Sequence, residues 1–277
     1  MPTPVMPVRM LRHDADTVLP LDDLLVTEEP LEIRLGFGPG HDRKELRLSV
    51  TMRTPGHDLE LALGFLLTEG LISDAAEVLR VAPCENVKDA ERGNVVRAEL
   101  RTDVEVDPSR WQRNFYTTSS CGVCGKSSID AVRVQCTQAL PAAPTLPDEL
   151  LAALPERMRD AQTVFKHTGG IHAAALFDER GEPLLLREDV GRHNAVDKLV
   201  GAMRMKGLSP EGKLLLVSGR AGFELVQKCI VAGIPLMAAV GAPSSLAVQL
   251  ARDSGLGLIG FLRGTRYNVY APAPKAR

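Results

Sequence analysis

The second half of the chain alternates between short apolar runs and segments with helical periodicity, and this alternation constrains the fold most. Two apolar runs flank the turn sequence Asp178-Glu179-Arg180-Gly181 and predict a hairpin. Three further apolar runs are separated from one another by amphipathic segments of helix length. The predicted strands cover residues 173–177, 184–186, 214–217, 235–240 and 256–261, and the predicted helices cover residues 194–205, 223–231 and 245–252. This pattern is typical of a largely parallel sheet covered by helices on both faces, so we predict an α/β fold.

The first half has the pattern of a smaller α+β unit. Residues 58–69 place Leu59, Leu63 and Leu66 at helical spacing, and Gly70 ends the predicted helix. Four strands are predicted around it, over residues 31–35, 45–50, 78–81 and 94–100.

A proline-rich segment separates the two halves. Three prolines in residues 141–147 oppose both helix and sheet, which favours a linker. We therefore predict an N-terminal α+β domain over residues 1–140, ending in a cysteine-bearing segment, and an α/β domain over residues 141–277.

Composition narrows the function classes. The 277 residues carry 33 Lys and Arg against 35 Asp and Glu, a net charge of −2, and only 4% are aromatic. A nucleic-acid-binding protein would be expected to show a basic surface and stacking aromatics. The chain has no apolar run of membrane-spanning length and no signal-peptide pattern at residues 1–12. We expect a cytoplasmic protein that binds neither nucleic acid nor membranes.

Three polar clusters follow predicted strands, where α/β sheets bind ligands. Glycines that lead into a helix expose backbone N–H groups to an anion, and arginines bind phosphate through two donors. The pattern therefore predicts an anionic, phosphate-bearing ligand. The clusters cover residues 187–194, 218–222 and 263–266, and the candidate ligand-binding residues are Arg187, Arg192, His193, Ser218, Gly219, Arg220, Arg263 and Arg266.

Several neighbours of these clusters have an ordinary structural interpretation. His193 and Asn194 are as well suited to capping a helix as to contacting a ligand. Glu188 and Asp189 are suited either to pairing with nearby arginines or to contacting the ligand, and Ser244 is suited either to capping or to phosphate binding. His172, at a strand start, is predicted to be structural.

Cys121 and Cys124 lie in a run of Ser, Thr and Gly that leaves both thiols accessible. A structural zinc site needs four ligands, and the sequence offers no second cysteine pair. Zinc deaminases use a His-x-Glu motif, but His172 is followed by two alanines. Thiol–disulfide exchange and sulfur carriage both stay open at this point. The other three cysteines are interpreted as small buried apolar residues.

Several motifs together resemble the FdhD-type formate dehydrogenase accessory sulfurtransferases, from about Glu29 onward. The most specific is the run from Arg187 to Lys198. The others are Pro55 to Asp58, Ser120 to Gly125, Thr168 to His172, Ser218 to Arg220, Ala242 to Ala247 and Gly260 to Arg263.

The resemblance implies a sulfur carrier between a cysteine desulfurase and the molybdenum cofactor of formate dehydrogenase. Family members bind the bis(molybdopterin guanine dinucleotide) form of that cofactor and sulfurate its metal before it enters the apoenzyme. The resemblance also implies a homodimer and a C-terminal three-layer α/β/α domain similar to the cytidine deaminase fold. By position, Cys121 would hold the persulfide, with Cys124 assisting, and the cofactor would contact Phe261, Leu262, Arg263, Gly264, Thr265 and Arg266.

We therefore expect a persulfide-carrying sulfurtransferase with no metal site of its own. Two alternatives remain, which are a thiol–disulfide oxidoreductase and a cofactor-binding chaperone that transfers no sulfur.

Overall fold

The computed structural model of the chain describes residues 3–106 and 139–273. Within these ranges the strands form a two-stranded hairpin, a four-stranded sheet and a six-stranded sheet.

The first element is a long hairpin that the sequence pattern does not predict. β1 (Val5–Asp14) and β2 (Thr17–Val26) pair antiparallel over their whole length, with Val5 opposite Val26 and Asp14 opposite Thr17. Most of their side chains are exposed. Because neither strand buries a complete face, the alternation that reveals a half-buried strand is missing.

The four-stranded sheet is the predicted N-terminal unit. Its order is β4-β3-β6-β5, and β3 runs antiparallel to β4 and parallel to β6. All four predicted strands and the predicted helix are present. They are β3 (Glu29–Phe37), β4 (Lys44–Arg53), α1 (Asp58–Thr68), β5 (Val78–Pro83) and β6 (Val95–Leu100), with single 3₁₀ turns at Ala75–Glu77 and Asp89–Glu91.

The second half builds the six-stranded sheet and its helices. The predicted strands and helices are all present, and α2, α3 and β12 are added to them. In chain order the elements are α2 (Asp148–Ala161), α3 (Thr163–Thr168), β7 (His172–Phe177), β8 (Pro183–Asp189), α4 (Arg192–Met205), β9 (Leu214–Val217), α5 (Phe223–Val231), β10 (Leu236–Ala239), α6 (Ser245–Ser254), β11 (Gly257–Arg263) and β12 (Arg266–Ala271).

The six-stranded sheet is mixed, which corrects the prediction of a largely parallel sheet. Its order is β12-β11-β10-β9-β7-β8. Only β9, β10 and β11 are parallel to one another, whereas β7, β8 and β12 join the sheet through antiparallel pairs. The two hairpins, β7–β8 and β11–β12, have connections too short for a crossover, so their strands must run antiparallel.

Helices cover both faces of this sheet, giving a three-layer α/β/α arrangement as expected. Successive residues of a strand point to opposite faces. Ala173 and Phe177 of β7 belong to one apolar cluster with Leu154 of α2. Ala174 belongs to a separate apolar cluster, on the other face, with Leu199 of α4. Among the described helices, none is long and apolar enough to span a membrane.

The apolar core beneath α4 continues without a break into the N-terminal unit. Leu35 of β3 and Leu66 of α1 belong to the same cluster as Leu199 of α4 and Leu215 of β9. Residues 139–147 contain neither helix nor strand, as the prolines predict. The boundary between residues 140 and 141 stays a prediction.

Candidate functional site

The carboxyl ends of β8, β9 and β10 meet at one edge of the six-stranded sheet. His172, the first residue of β7, lies opposite Asp189, the last residue of β8. At the same edge, Val217 ends β9 and pairs with Ala239, which ends β10. The polar segments that follow β8, β9 and β10 therefore gather at this edge, which we call the carboxyl edge.

Two of the loops at the carboxyl edge are joined by backbone hydrogen bonds. Gly241 N donates to Gly219 O at 2.9 Å, and Ala221 N donates to Ala242 O at 3.1 Å. A Cβ atom on Gly241 would lie 2.9 Å from Gly219 O, so only glycine allows this approach. The loops after β9 and β10 thus form one continuous surface.

Two helices begin at this surface with open N-termini. Gly191 precedes α4 and Gly222 precedes α5, and neither helix has a side-chain cap among the described residues. A Cβ atom on Gly222 would have no described atom within 4 Å. By contrast, Ser244 caps α6, because its hydroxyl accepts from Ala247 N at 3.2 Å. The uncapped N–H groups and the positive ends of the α4 and α5 dipoles can receive an anion.

A close side-chain contact joins the two open helix ends. His193 Nε2 of α4 lies 2.6 Å from Glu224 Oε2 of α5, and both side chains are largely buried. His193 therefore does not cap α4. Sequence reasoning missed Glu224, because an acidic residue in a first turn is ordinarily explained by the helix dipole.

The neighbours of this pair correct three further interpretations. Asn194 is no cap either, since its amide donates to Met52 O at 2.7 Å and to Asp189 Oδ1 at 3.0 Å. Asp189 pairs with the buried Lys198, at 2.7 Å, and not with an arginine. Glu188 accepts hydrogen bonds of 2.9 Å from the backbone N–H groups of Val164 and Phe165, at the start of α3. The carboxylates of Asp189 and Glu188 thus bind lysine and backbone donors. The arginines nearby in the sequence had favoured arginine partners instead.

Among the described residues, Arg187 has a carboxylate partner, Glu60 of α1. Its guanidinium forms two hydrogen bonds with Glu60 of α1, and its Nη1 donates to Leu186 O at 2.7 Å. Burial raises the pKa of Glu60, but Arg187 and His57 outweigh burial and lower that pKa to about 2. Arg187 and Glu60 therefore form a charged pair between the sheet and α1.

The segment from Phe261 to Arg266 occupies the other side of the carboxyl edge. Phe261 is 40% exposed with a φ of 54°, at a bulge in the β11–β12 pairing, and its N–H donates to Gly241 O. Arg263 Nε donates to Val240 O at 3.1 Å, and Arg263 pairs in register with Arg266. Leu262 is buried, whereas Gly264 and Thr265 are exposed in the turn.

The structure thus brings Arg192, Arg220, Arg263 and the two open helix ends to one edge. Ser218 supports this edge, because its hydroxyl accepts from Ala173 N at 2.9 Å. Arg220, Arg263 and Arg266 are exposed, and Arg192 is half-buried. The arrangement can bind a multiply charged anion through arginine and backbone donors.

The cysteine pair lies elsewhere in the chain. Cys121 and Cys124 lie outside the described residues. Of the described cysteines, Cys229 is buried and Cys84 is half-buried, and burial raises the pKa of both thiols. Both therefore favour the protonated thiol, which is a poor nucleophile.

The fold and the site define an α/β protein whose central sheet presents arginines and open helix ends at one edge. Comparison with known proteins places it more closely. The family model described as FdhD/NarQ matches residues 26–276. This chain belongs to the FdhD/NarQ family.

Relatives in that family cover nearly the whole chain. A protein of Streptomyces avermitilis named sulfur carrier protein FdhD is 54% identical over 254 residues, which cover 90% of this chain and 87% of the relative. A Mycobacterium tuberculosis protein of the same name is 48% identical over 276 residues, which cover 96% of this chain and 97% of the relative.

A solved structure shares the fold. It is a protein described as a candidate formate dehydrogenase accessory protein from Desulfotalea psychrophila, with a TM-score of 0.73. It is 22% identical to this chain, and the match covers 96% of both chains. At this identity the likeness supports the fold alone.

Proposed function

We propose that this chain is a cytoplasmic, homodimeric sulfur carrier that matures formate dehydrogenase. It accepts sulfur from a cysteine desulfurase as a persulfide on Cys121. It then passes this sulfur to the molybdenum cofactor in its bis(molybdopterin guanine dinucleotide) form, before that cofactor enters the apoenzyme. The names of the family relatives support sulfur carriage. The convergence of arginines and open helix ends at the carboxyl edge is the observation that supports binding of a nucleotide-bearing client.

The donors at the carboxyl edge fit the chemistry of such a client. The cofactor carries two pyrophosphate groups, and each needs several hydrogen-bond donors and positive charge. The open ends of α4 and α5 supply backbone N–H groups, and Gly222 leaves space at the N-terminus of α5. Arg192, Arg220 and Arg263 add guanidinium groups. The exposed ring of Phe261 offers an apolar face beside them.

The proposed sulfur chemistry belongs to the cysteine pair. The Cys121 thiolate attacks the outer sulfur of the donor's persulfide, forming a new S–S bond at Cys121 and releasing the donor cysteine as a thiolate. Cys124 can then attack the Cys121 sulfur, which releases hydrosulfide and leaves a Cys121–Cys124 disulfide. A cellular dithiol must reduce that disulfide before the next cycle. The raised pKa values of Cys84 and Cys229 favour this pair over the two described thiols.

Nucleotide binding tests the client-binding half of this proposal. We expect Arg220→Ala and Arg263→Ala each to weaken the affinity for guanosine diphosphate by about tenfold or more, because each loses a charge-assisted hydrogen bond to phosphate. Isothermal titration calorimetry measures this affinity directly.

Arg80→Ala is the matched control, since Arg80 is exposed on β5 in the other sheet. Unchanged affinity in both edge variants would remove the carboxyl edge from the proposal. A thiol–disulfide oxidoreductase would instead show no affinity for the nucleotide in any variant.

A further inference from the structure

His172 occupies the junction between the two open helix ends. It is the first residue of β7 and lies on the same strand face as Ala174, beneath α4. A Cβ atom on Gly219 would lie 3.5 Å from His172 Nδ1, which places the imidazole directly against the loop between β9 and α5. The ring therefore lies beside the loop surface where the proposed pyrophosphate would bind.

The charged groups around His172 are mainly positive. Burial lowers the pKa of His172. Arg192 and His193 of α4 lower this pKa further, whereas Asp189 of β8 raises it. That carboxylate is already paired with Lys198 and accepts from the backbone N–H of Thr54 and of Gly191. Glu224 of α5 is engaged with His193. In the free protein these surroundings therefore favour the neutral imidazole of His172.

Towards the described residues, the imidazole also has unused hydrogen-bonding capacity. Among residues 3–106 and 139–273, no group forms a hydrogen bond with either ring nitrogen, although the side chain is half-buried. A purely structural histidine of this kind ordinarily donates to a carbonyl or a carboxylate. A ligand oxygen at the carboxyl edge would supply the missing partner.

We propose that His172 is a further phosphate-binding residue of the carboxyl edge, and that it takes up one proton when the anionic ligand binds. The inference rests on the proposed function, because it requires a phosphate-bearing ligand at this edge. Two negative charges on a diphosphate reverse the electrostatic surroundings of the ring and favour imidazolium, which then donates to a phosphate oxygen. Binding and proton uptake are linked, so lower pH strengthens binding.

The experiment uses guanosine diphosphate mannose, whose diphosphate diester keeps its charge across the range in which histidine titrates. Calorimetry in two buffers of different ionisation enthalpy gives the number of protons taken up. We expect uptake of up to one proton and affinity that rises several-fold between about pH 8 and about pH 6, by no more than about tenfold per pH unit. His172→Gln should abolish both effects.

His41→Gln is the control, because His41 is exposed in the loop between β3 and β4 of the four-stranded sheet. Binding of the full chain without proton uptake, or uptake that persists in His172→Gln, would overturn the inference and leave the proposed function standing. Absence of nucleotide binding at every pH would instead overturn the proposed function and this inference with it. A wild-type count of zero protons overturns the inference even if His172→Gln does not fold.

Discussion

Glu60 shows how one carboxylate links distant parts of this chain. It lies in the first turn of α1 and is paired with Arg187 of β8, which is 127 residues away. His57 Nδ1 lies 3.2 Å from the same carboxylate. Burial alone would raise the pKa of Glu60, but Arg187 and His57 lower it to about 2. The folded protein therefore favours the charged carboxylate more strongly than the unfolded chain does.

This difference predicts a specific loss of stability in acid. The folded pKa lies below the ordinary value of 4.5, so the contribution is complete above pH 4.5 and is lost as pH falls towards about 2. We expect Glu60→Gln to cost about 1 kcal/mol at neutral pH, because the pair is partly solvated, and to cost progressively less below pH 4.5. Urea unfolding followed by circular dichroism measures this difference at each pH.

Glu211→Gln is the matched control for this series, since Glu211 is exposed in the loop before β9. A Glu60→Gln deficit that stays constant from neutral to acid pH would mean that packing, and not charge, sets the role of Glu60.

At the scale of elements, α1 and α4 cross so closely that no side chain fits between them. A Cβ atom on Gly64 would lie 1.8 Å from Asp197 O, and one on Gly201 would lie 1.9 Å from Glu60 O. Beside the crossing, the buried Lys228 of α5 lies 2.9 Å from Asp197 Oδ1 and 2.8 Å from Glu69 Oε1. The crossing and this charge cluster fix α1 against the six-stranded sheet's helices.

We expect Gly64→Ala to destabilise the protein by at least about 2 kcal/mol, because the added methyl group must displace backbone. Intrinsic helix propensity would predict the opposite sign, a gain of about 1 kcal/mol for alanine over glycine. The sign of the change in unfolding free energy therefore separates close packing from propensity. Gly40→Ala is the control, since no described atom lies within 4 Å of its added Cβ. A Gly64→Ala protein as stable as wild type would disprove the close crossing.

At the scale of the whole molecule, one apolar cluster joins the four-stranded and six-stranded sheets, and the carboxyl edge of the larger sheet carries the candidate site. Sequence patterning predicted most of this framework. The strand at Leu214–Val217 and the helix at Phe223–Val231 have the predicted ends. The strand is a continuous apolar run that is buried on both faces, and the helix begins directly after Gly222.

Other parts of the fold carried no such signal. The hairpin of β1 and β2 buries neither face, and α2 contains Pro155, which opposes a helical prediction. Strand direction depends on connection geometry, which apolar patterning does not encode. The clusters at the carboxyl edge could be found from glycine and arginine spacing. The pairing of His193 with Glu224 could not, because it depends on how α4 and α5 approach each other.

Mass spectrometry shows directly whether Cys121 carries sulfur. The full chain is incubated with a cysteine desulfurase and cysteine, and its peptides are analysed without reduction. We predict an added mass of one sulfur atom on the peptide that contains Cys121. Cys121→Ala should lose this mass and Cys84→Ala should retain it. An added sulfur on Cys84 or Cys229, or no added sulfur on any cysteine, would contradict sulfur carriage by Cys121.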